Sequence, residues 1–190
     1  MSAAAARLLV FLAAAAVLAL APGRALAAGG SYVFDGGTAR QQSQVKAALD
    51  ASSFNWSLVP ATITIHIGHG HASQASPGEI WLDSDLLNAN KFAWGVVQHE
   101  FAHQVAFYLL DGPEQQVFEQ ALGGSDWCYS VAGLPHSDYG CERFASTLAW
   151  AYWQSPQNAM RPSSPRDESA AMTPQAFRAL LSRIVGPAAR

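Results

Sequence analysis

The chain has 190 residues, 50% of them hydrophobic and 13% charged, with a formal net charge of −3. That hydrophobicity excludes a disordered, heavily solvated chain, and the lack of basic excess argues against nucleic acid or anionic lipid as a partner. The length fits one domain, and two cysteines are too few for a disulfide framework or a Cys-ligated zinc ribbon.

At the start of the chain, Arg7 is followed by thirteen apolar residues, Leu8–Leu20, then Pro22-Gly23 and the small-x-small run Ala25-Leu26-Ala27. A membrane span needs about 20 apolar residues. The run is therefore read as a secretory signal peptide over residues 1–27, cut after Ala27, with an uncleaved anchor as the alternative. Cleavage removes Arg7 and Arg24 and no acid, so Ala28–Arg190 keeps 163 residues, nine basic and fourteen acidic, a net −5. A secreted or extracytoplasmic chain without stable membrane insertion is expected, and export makes a Cys128–Cys141 disulfide expected too.

Thr38 can cap a helix over Ala39–Ser52, with Val45, Ala48 and Leu49 on one stripe. The β-branched run Thr62–Ile67 predicts a strand, residues 68–78 a loop, and Ile80–Leu82 a short second strand. A long apolar helix is expected from about Asn90 to Leu110, stopped by Asp111-Gly112-Pro113. A weaker helix follows over Glu114–Leu122, then a polar loop to Gly140, then a helix over Glu142–Trp153. Residues 155–170 hold Pro156, Pro162 and Pro165 and read as a linker or a surface wrap. Thr173-Pro174 opens a last helix through Val185.

The strong motif is His99-Glu100-Phe101-Ala102-His103, H-E-x-x-H, inside the long helix. Histidines at i and i+4 stand on one helical face, so both imidazoles can reach one zinc ion, with Glu100 beside them as general base. With six His and six Glu in the chain, chance would give about 0.006 such matches. The neighbours Val96, Val97, Gln98, Phe101, Ala102 and Val105 are uncharged, as a buried helix requires. Catalytic zinc takes a third protein ligand. The metzincin pattern fails, because Ala106 and Leu109 stand where its glycine and third histidine belong. Glu142, an acid in the first turn of an apolar helix, is the favoured third ligand. Its rivals are Asp138, His136, Glu119 and Glu114, and the plain alternative is an acid placed there by the helix dipole. His66, His69 and His71 read as a strand-face histidine and a solvated loop rather than a second metal site.

The segment Val96–Val105 resembles the active-site helix of the zincin metallopeptidases, and a glutamate on a later helix is similar to the gluzincin branch. Glu142-Arg143-Phe144-Ala145 resembles the lethal-factor type of gluzincin. The resemblance covers about Ile63–Trp153 and is specific only over the motif itself. It implies an α+β, minimal zincin-like domain over residues 28–190. A small mixed sheet, with Ile80–Asp83 as the substrate-binding edge, would pack on the active-site helix and a glutamate-bearing helix. It also implies a zinc metalloendopeptidase holding one Zn2+ through His99, His103 and Glu142 and acting on a peptide or protein. Glu100 would then be the base for a zinc-activated water, and Tyr139 or His136 the oxyanion donor. One position departs: thermolysin-like relatives carry an aspartate four residues past the glutamate ligand to orient a zinc histidine, and here Ser146 stands there. The alternative is a secreted zinc-binding or interaction domain on the same scaffold, without turnover.

Overall fold

The computed structural model describes residues 30–189, so the leader read over residues 1–27 lies outside the described residues. The protein is α+β, with a four-stranded mixed sheet and six helices among the described residues. The elements run β1 (Ser31–Gly36), α1 (Ala39–Ala51), β2 (Thr62–Gly68), β3 (Gln74–Ser76), β4 (Glu79–Asp83), α2 (Ser84–Leu87), α3 (Lys91–Leu109), α4 (Gly112–Leu122), α5 (Gly140–Tyr152) and α6 (Pro174–Ile184). Thr38 caps α1 through a capping box: its hydroxyl accepts from the Gln41 amide, and the Gln41 side chain accepts from the Thr38 amide.

The sheet order is β1-β2-β4-β3. β2 pairs in parallel with both β1 and β4, and β3 pairs antiparallel with β4. The expected edge strand is therefore corrected: Ile80–Asp83 lies inside the sheet, and Gln74–Ser76, read as loop, is the edge. A turn gives the reason. Ile80 and Leu82 are 0% and 1% exposed on the core face whichever strand is outermost; what moves the edge is the Pro77-Gly78 turn, with Gly78 at φ +83°, which folds polar Gln74–Ser76 back onto β4, and those residues tolerate a solvated edge. Two hydrogen bonds from the buried Gln104 side chain, to the carbonyls of Ser76 and Glu79, tie the β3–β4 turn to α3, and its amide oxygen accepts from Gly78 N.

In β2 the alternation puts Ile63, Ile65 and Ile67 into the core, while His66 faces the other side of the sheet. α3 is buried without interruption from Val97 to Ala106, as its apolar composition requires. It packs against α1, with the Gln98 amide donating to the Ala48 carbonyl, and most extensively against α5.

The Pro-rich stretch is a wrap, not a free linker. Asn158 is buried and donates to the carbonyls of Ala149 and Trp153. It crosses α3 at Gly95, where a Cβ would stand 2.8 Å from the backbone nitrogen of Ala159. The wrap ends in a 3-10 turn, Glu168–Ala170, laid on α5. No helix among the described residues is long and apolar enough to cross a membrane.

Candidate metal centre

His99 and His103 lie one turn apart on α3, and Glu142 enters from the first turn of α5. Each is less than 8% exposed. The two Nε2 atoms are 3.1 Å apart, and Glu142 Oε2 lies 3.1 Å from His99 Nε2 and 3.3 Å from His103 Nε2. A tetrahedral zinc with bonds of about 2.0–2.1 Å has ligand atoms about 3.3–3.4 Å apart. The triangle is therefore of the size that one such ion spans, and two imidazoles with a carboxylate are a chemically suitable donor set. Among the described residues, Glu119, Glu114 and Asp138 belong to no such cluster: Glu114 is occupied in the capping box of α4 with Asp111.

The electrostatics follow from burial and proximity. Burial by itself would raise the Glu142 carboxyl, but hydrogen bonds and charge from His103 and His99 overcome it and hold the group far below the usual carboxylate range. Burial disfavours charge on His99, yet the hydrogen bond to Glu142 and the field of Glu100, Glu142 and Glu168 bring its net shift upward. Glu100 is 5% exposed, and burial pushes its carboxyl up against the opposing pull of His99 and His103. A carboxyl raised in this way is a better proton acceptor than a solvated one.

The outer contacts account for Ser146. The hydroxyl of Ser146 lies 3.0 Å from His99 Nδ1 and donates to Glu168 Oε2 at 2.7 Å. With its own proton spent on Glu168, the hydroxyl can only accept from His99, which keeps a proton on Nδ1 and makes Nε2, the nitrogen that faces Glu142, the one that could give up its proton to a metal. The serine thus passes on the role of a carboxylate that stands in the wrap.

His136 lies beside the cluster on a 3-10 turn, His136–Asp138. Its Nε2 is 3.2 Å from Glu142 Oε2, and its Nδ1 is 2.6 Å from Glu168 Oε1. The bond to Glu168 comes first among the causes that raise its pKa. Tyr139 points elsewhere: it is 3% exposed, and its hydroxyl donates to the Val131 carbonyl. Tyr129 takes the place beside the cluster. Its hydroxyl donates to Glu142 Oε1 at 2.9 Å, and burial together with the Glu142 charge pushes that hydroxyl's pKa up. Tyr129 adopts φ +58°, unusual for a residue with a side chain, between the disulfide-bonded Cys128 and Ser130.

The loop that carries Tyr129 and His136 is pinned to α5. Cys128 and Cys141 are bridged, with Cα atoms 5.4 Å apart. Arg143 donates to the carbonyls of Ser137 and Leu122, and Asp126 accepts from the amides of Ser130 and Val131. A hollow of about 360 Å3 opens over Glu100 and the cluster, walled by Gln74 and Ala75 of β3, Phe107, Tyr129 and His136. A second, of about 420 Å3, shares Glu100 and His136 and adds apolar Leu86, Val96 and Met160.

Elsewhere, His66 stacks on Trp81 and pairs with Asp35 on the open sheet face, and His71 meets the Ala72 carbonyl. His69 pairs with Asp85 near half-buried Asp83, which caps α2, and these three side chains lie close enough together to hold a metal ion, although His69 and His71 read as a solvated loop in the sequence. Sequence reasoning missed Tyr129 and Glu168. An aromatic beside Cys128 was the sole signal for the first, and nothing local marks the second. No protein-family profile matches the chain, and no curated protein or solved structure matches it significantly.

Proposed function

We propose that the protein is an exported zinc-dependent peptidase of the gluzincin kind. The carrying observation is the convergence of two imidazole nitrogens and one carboxylate oxygen to within 3.3 Å of one another, with Glu100 buried beside them in an open hollow. His99, His103 and Glu142 would hold the ion. Zinc, when bound, supplies a Lewis acid that lowers the pKa of water and polarises a carbonyl. Glu100 accepts the proton of the attacking water and returns it to the leaving amine. His136 and Tyr129 are the groups within reach to donate to the developing oxyanion. An extended peptide can add to the outer edge of β3, which pairs with no other strand among the described residues and whose Gln74 and Ala75 wall the hollow, so that the backbone of the substrate is read as well as its sequence. The bridged Cys128–Cys141 pair favours an oxidising compartment, in keeping with the leader read in the sequence.

The test is Glu100→Gln. The variant is expected to bind zinc as the wild type does and to lose cleavage of a peptide library by about 100-fold or more, the range removed with a general base. Retained cleavage would discard the mechanism. Zinc bound by the wild type without any cleavage would leave a metal-binding module.

A further inference from the structure

We infer that Glu168 is a positioning residue shared by both halves of the site. Its Oε2 accepts the Ser146 hydroxyl that fixes His99, and its Oε1 lies 2.6 Å from Nδ1 of His136. The inference rests on the metal-site reading above.

The argument is one of donor and acceptor inventory. His99 must keep its proton on Nδ1 to offer Nε2 to a metal, so Ser146 must accept from His99 and needs an acceptor for its own proton. His136 presents Nε2 toward Glu142 and turns Nδ1–H outward, so it too needs an acceptor. A carboxylate supplies an acceptor at each oxygen, and here the two oxygens of one carboxylate meet the two needs. An amide at the same place has one acceptor and one donor, so it can serve only one half.

The location adds a consequence. Glu168 opens the 3-10 turn at the end of the wrap, and its backbone carbonyl accepts from Thr147 on α5. The stretch read as a linker or a surface wrap therefore completes the orientation of groups brought by α3 and by the 123–140 loop. A carboxylate at position 146 could accept from His99 directly, whereas the Ser146 hydroxyl also needs an acceptor for its own proton, and the wrap supplies it.

Two readouts in the full chain test this without reference to peptide cleavage. The first is zinc affinity by competition with a chromogenic chelator. Ser146→Ala and Glu168→Ala are each expected to weaken it about 10–100-fold, and the double variant no further than the weaker single. Losses that multiply in the double variant, or an unchanged affinity in Glu168→Ala, would overturn the relay. The second is the hydrogen-bonded Nδ1 proton of His136 by NMR, expected in wild type and Ser146→Ala and lost in Glu168→Ala. Its persistence in Glu168→Ala would overturn the second half. Glu168→Gln keeps the size of the side chain and guards against simple unfolding. It is expected to lose one readout and keep the other, and a variant that keeps both refutes sharing. If the peptidase reading fails while zinc still binds, both readouts stand; if no zinc binds the wild type, the relay has no metal to serve and falls with the site.

Discussion

Glu142 is the residue on which the most partners converge. Its Oε2 faces three imidazoles, at 3.1, 3.3 and 3.2 Å, and its Oε1 receives the Tyr129 hydroxyl. A ligating carboxylate gains orientation from such an outer donor. Tyr129→Phe removes that donor and keeps the ring that packs on Tyr139. It is expected to weaken zinc binding about 10–100-fold without lowering the melting temperature of the metal-free protein, as chelator competition and thermal unfolding would report. An unchanged affinity would mean that the hydroxyl does not position the ligand. At this scale the sequence was informative where chemistry is local. His99, Glu100 and His103 share one turn of helix, so spacing alone placed them together, and Glu142 betrayed itself as an acid on an apolar helix. Tyr129 and Glu168 reach the cluster by loop and wrap paths that leave no periodic trace, and Tyr139, chosen for its nearness to Glu142, is turned to Val131.

Among the elements, the 123–140 loop matters most to the site, because it carries Tyr129 and His136 yet has little core of its own. Its covalent tie closes a separation of 13 residues, which the chain-entropy account values at about 3 kcal/mol. Replacing Cys128 and Cys141 together by serine is expected to lower unfolding stability by that order in denaturant melts, and to leave α3 in place; a loss near zero would show the other ties suffice. Asp126 is the second tie. A hydrogen bond from the Ser130 hydroxyl, followed by the amides of Ser130 and Val131, lowers its pKa. A carboxyl lowered in the folded state stabilises fully above its unfolded value of about 3.9, and that contribution fades as pH falls through the lower folded value. The Ser130 and Val131 amide resonances should therefore shift together with a midpoint below about 3.9, and Asp126→Asn should abolish the step. A midpoint at or above the ordinary value would refute the assignment. Strand legibility has a similar physical basis. β2 announced itself by a β-branched run, whereas β3 is three residues of Gln-Ala-Ser with no strand pattern of their own, folded onto β4 across the Pro77-Gly78 turn and held from α3 by Gln104, a contact 28 residues away in sequence.

Across the whole molecule, the candidate ligands come from two helices that pack on each other more extensively than any other pair of elements among the described residues, so the metal would bridge elements that hold together without it. The α1–α3–α5 layering and the sheet bury Phe54, Trp56, Phe101, Phe118 and Phe144 completely or nearly so, independent of any ion. Within the cluster, the charge on Glu142 is already met by hydrogen bonds from the imidazoles. The metal-free protein should thus stay folded at 25 °C, unlike a zinc finger, whose chain collapses only around its ion. Free zinc at a hundredfold excess over Kd adds about 2.7 kcal/mol, which for a chain of this length corresponds to a rise of roughly 5–10 °C in melting temperature. Glu100→Gln should keep that rise and His103→Ala should lose most of it. A His103→Ala protein showing the full shift would place the zinc somewhere other than between α3 and α5, and complete unfolding on chelation would mean that the ion, not the apolar layers, holds the two helices together.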